Sequence, residues 1–277
     1  MEKKPLKPSE ITDCTIAAAQ EKVKGSFQKL LVLGILAGAF IAFAAEGSNM
    51  AAFNLFAEPT TYGLGKALAG VVFGTGLMLV VLAGGELFTG NTMMLAAVLD
   101  KKITISKMLR NWIIVFIGNF LGSLLIAYMM VHSGLFGSGA EMLGAITVKI
   151  AVYKVNLGFL QAFYLGIMCN WLVCLAVWIA SGTESMVGKM FAIFFPIWLF
   201  ITSGFEHSVA NMYYIPAGIM AKANGSFAEL SDLSQEALNS LTWSSFAINN
   251  LIPVTLGNIV GGGIFVGMAY WYVYKKA

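Results

Sequence analysis

Charge is what this sequence has least of. Asp, Glu, Lys and Arg make up 11% of its 277 residues, less than half the roughly 25% usual in a soluble domain. So little charge cannot clothe a water-soluble fold of this length. The net charge of +3 is small and its lysines are scattered, which argues against nucleic acid as a partner. Histidine occurs twice and cysteine three times, and Cys14, Cys169 and Cys174 have no zinc-ligand spacing with His132 or His207. No metal and no cofactor is expected, and the cysteines read as free packing residues. The N-terminal stretch MEKKPLKPSEITDC lacks the apolar core of a cleaved signal, so the first spanning segment is expected to stay in the mature protein.

What abounds instead is apolar. Hydrophobic residues reach 58%, with 30 glycines and 20 phenylalanines, and the mean hydropathy is +0.78. Runs of about 20 apolar residues are what a hydrocarbon core of roughly 30 Å demands. They occur near 27–52, 67–99, 111–132, 157–181, 188–221 and 247–274. The reading is an all-α membrane protein with the lipid bilayer as its solvent. A single six-helix membrane domain covers 27–274, preceded by a polar segment over 1–26, and no room remains for a separate soluble catalytic domain. The second and fifth segments are too long for simple spans and carry polar words in their middles, GGELFTGN (84–91) and SGFEHSVAN (203–211), so both are predicted to be broken helices. One side of the predicted membrane holds thirteen of the Lys and Arg residues and the other four, which predicts an inner-membrane protein with both termini cytoplasmic. The stretch from 9 to 29 mixes Ile11, Ile16, Ala17, Val23 and Phe27 with charge, as an amphipathic interfacial helix or a solvated tail would.

Three words recur in the same order in the two halves. GILAG (34–38) pairs with GIMCN (166–170), GELFTGN with GFEHSVAN, and GNFLGS (118–123) with GNIVGG (257–262). With three crossings per half, the copies, about 27–135 and 136–274, enter the membrane from opposite sides. In such inverted repeats the broken helices meet near the midplane and mark the substrate pathway.

Segment five places Glu206 and His207 deep in an apolar run, where ionisable groups are costly enough to be functional by default. An imidazole titrates near neutrality and can offer or withhold a proton, which suits a small anion. Glu86 and Glu206 are expected to point away from the pathway and accept backbone N–H groups freed by the breaks. Thr89, Asn91, Ser208 and Asn211 can supply neutral hydrogen bonds or cap the half-helices. Phe73, Leu77, Leu87, Phe88, Val173 and Phe200 surround the breaks as core or as a gate that excludes hydrated ions while passing a weak acid in its neutral form. Lys154, before segment four on the positive-poor side, is expected to draw anions into the pore mouth through a long-range field, unless it merely snorkels. His132, at the end of segment three, reads as incidental. An enzyme is not expected: Glu206 and Ser208 diverge from His207 by about 100° each on a regular helix, so no dyad forms. An aquaporin-like pore for neutral solutes is the alternative, although the paired NPA words of that class are absent.

The words GGELFTGN, NWLVCLAVW (170–178), SGFEHSVANMYYIPAGI (203–219) and NLIPVTLGNIVGGG (250–263) together resemble the formate/nitrite transporter family from about residue 20 to 274. The resemblance implies an aquaporin-like fold assembled as a homopentamer, with one anion pore per protomer for formate, nitrite, hydrosulfide or related organic acids. It places the family's central histidine on His207, its loop threonine on Thr89, its vestibule lysine on Lys154 and its pore asparagine on Asn170. The two narrow slits fall on Phe73 with Phe200, and on Leu77, Leu87 and Phe88. Glu86 stands where formate channels carry aspartate, and AVYKVNLGF around Lys154 lacks the histidines found beside that lysine in some formate channels.

Overall fold

The computed structural model describes residues 4–277, so the first three residues of the predicted N-terminal segment lie outside it. Its elements are α1 (Pro8–Lys22), α2 (Phe27–Phe56), α3 (Tyr62–Gly84), α4 (Phe88–Leu99) and α5 (Ile105–His132). A second series follows: α6 (Met142–Val155), α7 (Phe159–Ala180), α8 (Met186–Ser203), α9 (Ser208–Ala221), two short helices α10 (Gly225–Leu230) and α11 (Gln235–Ser240), and α12 (Trp243–Lys276). Six of these, α2, α3, α5, α7, α8 and α12, are long and apolar enough to cross a membrane. Hydroxyl caps start five of the elements: Ser26 accepts from the Lys29 amide, Thr104 from that of Lys107, Ser185 from that of Gly188, Ser234 from that of Ala237 and Thr242 from that of Ser245, each satisfying an orphan donor of a first turn.

The chain is an inverted repeat, and its correspondence begins earlier than residue 27. Helix α1 matches α6, α2 matches α7, the broken pair α3–α4 matches α8–α9, and α5 matches α12. The polar N-terminal segment is thus part of the first repeat. It folds onto the protein, burying Ile11, Thr12, Ile16 and Ala19, and Lys275 near the C-terminus is ion-paired with its Asp13. Both termini therefore share one face. The opposite face carries the end of α2 and the start of α3.

Small residues let the helices of each repeat approach closely, as in membrane helix packing generally. An ideal Cβ at Gly122 of α5 would stand 2.0 Å from the Ile35 carbonyl oxygen of α2, and one at Gly261 of α12 would stand 2.3 Å from that of Ile167 in α7. Side chains are sterically excluded at both places. The breaks are matched too. Gly84 ends α3 at φ +89° and Gly204 ends α8 at φ +79°, a left-handed backbone that costs glycine nothing extra.

Candidate functional site

After each left-handed glycine the chain runs extended for a few residues before the next half-helix begins. Backbone groups left unpaired inside an apolar slab cost several kcal/mol each, and each loop is held by the same set of partners. In the first loop the Glu86 amide donates to the Leu33 carbonyl (3.1 Å) and the Phe88 amide to Asn119 Oδ1 (2.9 Å). Asn119 Nδ2 reaches back to the carbonyls of Gly34 and Glu86 (2.8 and 2.9 Å). In the second loop the Glu206 amide donates to Leu165 (3.3 Å), the Ser208 amide to Asn258 Oδ1 (2.9 Å), and Asn258 Nδ2 to Gly166 and Glu206 (2.8 and 3.0 Å). The two carboxylates are clamped alike. Glu86 pairs with Lys22 at 2.8 Å and accepts from Asn91, which also donates to Asn111. Glu206 pairs with Lys154 at 2.7 Å and accepts from Asn211, which also donates to Asn250.

Two cavities flank the loops. One of about 480 Å³, on the face away from the termini, is bordered by Lys66, Lys154, Phe200, Gly204, Glu206 and His207 among others. The other, of about 250 Å³, opens toward the termini between α1 and the first loop, where Lys22, Leu77, Leu87 and Val177 line it. Between them sit His207, 3% exposed, and the fully buried Thr89. His207 Nε2 lies 2.9 Å from Thr89 Oγ1, and Nδ1 accepts the Ala210 amide at 3.1 Å, capping α9. Because Nδ1 is an acceptor, the neutral ring carries its proton on Nε2 and donates toward Thr89. The Thr89 hydroxyl proton is then free to serve something else. On the larger cavity's side, Phe73 and Phe200 meet edge to face, with centroids 5.6 Å apart at 86°.

One histidine and one threonine thus stand between the two cavities. The family model described as "Formate/nitrite transporter" matches residues 9–272. The chain belongs to the formate/nitrite transporter family. It is 42% identical to a probable formate transporter of Methanothermobacter thermautotrophicus, with 97% of each chain covered. It is 38% identical to the formate channel FocA of Escherichia coli K12, covering 90% of this chain and 87% of that one. Among solved structures, a pentameric formate channel with formate bound superposes with a TM-score of 0.80 at 40% identity, covering 90% of this chain and 98% of that one.

Within this member of the formate/nitrite transporter family, several expected roles change. Glu86 and Glu206 do not accept backbone N–H groups; the asparagines Asn119 and Asn258 do that, and the carboxylates bind lysine and asparagine side chains. Lys154 is consequently one half of a buried ion pair, its side chain 12% exposed, rather than a free charge at a pore mouth. Asn170 is fully buried and donates to the Thr89 and Asn258 carbonyls and to Thr92 Oγ1, so its amide protons are committed behind the first loop. Asn211 borders the larger cavity, but its amide protons go to Glu206 and Asn250, leaving no donor for an anion. Phe88 turns its ring onto Trp112 and Phe116 of α5, and Val173 is core, while Val177 one turn on borders the smaller cavity. His132 is exposed and bonds only the Tyr128 carbonyl. Lys22, Asn119 and Asn258 were missed in the sequence. The signals were there: A-x-x-K-V occurs at 19–23 and again at 151–155, and both GNFLGS and GNIVGG carry the loop-holding asparagine in second place.

Proposed function

We propose that the protein is a channel for small monovalent anions of weak acids, with formate foremost and nitrite and hydrosulfide as further substrates. It acts as a homopentamer of the cell's inner membrane with both termini cytoplasmic, and it is not an enzyme. The observation that supports this reading is the His207–Thr89 contact at 2.9 Å, with the Phe73–Phe200 pair on one side and Leu77 and Leu87 on the other; we read these apolar groups as two narrowings. An ion crossing such a narrowing must shed water, which costs a small weak-acid anion less when uncharged donors, and then a proton, replace it. His207 Nε2–H and the Thr89 hydroxyl are those donors, and proton exchange at the ring makes transport pH-sensitive. The relatives described as formate transporters, and the pentameric neighbour that holds formate, support formate and fivefold assembly. Uptake of formate, nitrite and hydrosulfide into proteoliposomes tests the reading. Formate should pass at a rate abolished by omitting the protein. Passage of uncharged solutes without formate would overturn it in favour of a neutral-solute pore.

The aromatic narrowing makes its own prediction. Phe200→Ile removes ring volume from the edge-to-face contact and should raise formate flux or admit larger carboxylates. If Phe200 is only core, the same change should instead lower thermal stability by about 1 kcal/mol or more and leave size selectivity unaltered.

A further inference from the structure

The larger cavity is bordered by three lysines, Lys66, Lys149 and Lys154, and by one carboxylate, Glu206. Lys154 and Glu206 are in contact at 2.7 Å, so together they carry no net charge, and the field of such a pair falls off faster with distance than that of a lone ion. Lys149 is exposed, whereas Lys66, on the first turns of α3, is half-buried. Lys66 has no hydrogen-bond or ion-pair partner among the described residues. Its placement is specific: a Cβ built on Gly204 would lie 3.6 Å from Lys66 Nζ, so the ammonium stands over the turn that leads into Glu206 and His207. The smaller cavity has nothing comparable, because the one lysine bordering it, Lys22, is paired with Glu86.

We propose that Lys66 is the inward, half-buried uncompensated charge that gathers anions in the larger cavity, with the exposed Lys149 adding a weaker field at its rim and the Lys154–Glu206 pair serving as scaffold, and that this makes the pathway electrostatically asymmetric between its two faces. The proposal rests on the anion-channel reading for its role in transport, though not for the potential itself. An isolated ammonium about 7 Å from an anion in a water-like dielectric raises the local anion concentration about threefold, and the effect fades as salt screens it over roughly 10 Å at 0.1 M.

A cysteine reporter reads that potential without any transport. Ser203 borders the same cavity and is exposed, and Cys14 is the exposed native cysteine. Ser203→Cys in a Cys14→Ser background is therefore labelled with an anionic sulfonatoethyl methanethiosulfonate and with a neutral methanethiosulfonate. In that parent the anionic-to-neutral rate ratio should fall about threefold from low to high salt. Adding Lys66→Gln should lower the low-salt ratio by about twofold to threefold and remove most of its salt dependence, the exposed Lys149 supplying the remainder, and Lys66→Arg should restore both. A ratio indifferent to salt in the parent, or unchanged by Lys66→Gln in an oligomer of parental stability, overturns the proposal. In proteoliposomes Lys66→Gln should raise the half-saturating formate concentration at low salt and keep the maximal flux. A parent that shows the potential but passes no formate would refute the formate-channel reading and leave the charge assignment standing.

Discussion

Lys154→Glu should collapse the second loop rather than merely weaken anion attraction. The Glu206 side chain is 2% exposed and its carboxylate is the lysine's partner at 2.7 Å, so the substitution sets two carboxylates in contact at the wall of the larger cavity. Breaking one member out of a buried pair costs about 3–5 kcal/mol, and a like charge adds to that. Thermal unfolding of the detergent-solubilised oligomer should therefore shift down sharply, and formate flux should be lost at low and high salt alike, because a buried pair is little screened. Lys154→Arg keeps the charge and should retain most of the flux. A charge-swapped double variant, Lys154→Glu with Glu206→Lys, should recover only part of the stability, since Asn211 and Asn250 would then aim donors at an ammonium. If Lys154→Glu instead unfolds at the parental temperature and regains flux in high salt, Lys154 acts through a screened field and the scaffold assignment is wrong.

His207→Asn should give a folded oligomer whose formate flux no longer varies with pH beyond the substrate's own ionisation. Asparagine is among the best N-cap residues, so the Ala210 amide that His207 Nδ1 now satisfies keeps an acceptor and α9 keeps its start. What is lost is the imidazole, the side chain able to take up and release a proton at that point. Comparing parent and variant flux from about pH 5 to 8 decides the matter, with size-exclusion behaviour as the check on folding. A variant that retains the parental pH profile would show that the proton is exchanged elsewhere.

Much of this was legible before any coordinates. Apolar run length gives the six spans, and polar words in overlong runs give the two breaks, because only protein-lined backbone can be irregular at that depth. The depth of Glu206 and His207 marks the site for the same reason. What the sequence concealed has identifiable causes. Lys22 lies among five other lysines of the N-terminal region, so its pairing with Glu86 has no compositional signal, only the A-x-x-K-V echo. The asparagines could be seen but not their targets, since an amide can donate or accept and the choice depends on neighbours from other helices. Phe88 shows a third limit. A loop resets the phase of the half-helix that follows it, so periodicity through segment two cannot say that Leu87 borders the cavity while Phe88 packs on α5.

The matched register of the two loops puts Leu87 opposite His207 and Thr89 opposite Val209. The two side chains that meet at the centre thus come from positions where the halves have diverged, inside a frame of lysine, glutamate and asparagines where they have not. Two identical half-channels facing each other would place the same residue twice: paired imidazoles that repel once both are protonated, or paired leucines with no donor at all. A lone imidazole facing a lone hydroxyl requires two halves of different sequence, whether joined or separate, so that one copy can change while the other stays. Separating the halves into two polypeptides should therefore be tolerated by the shared scaffold, but a homodimer of either half alone would lack a working centre.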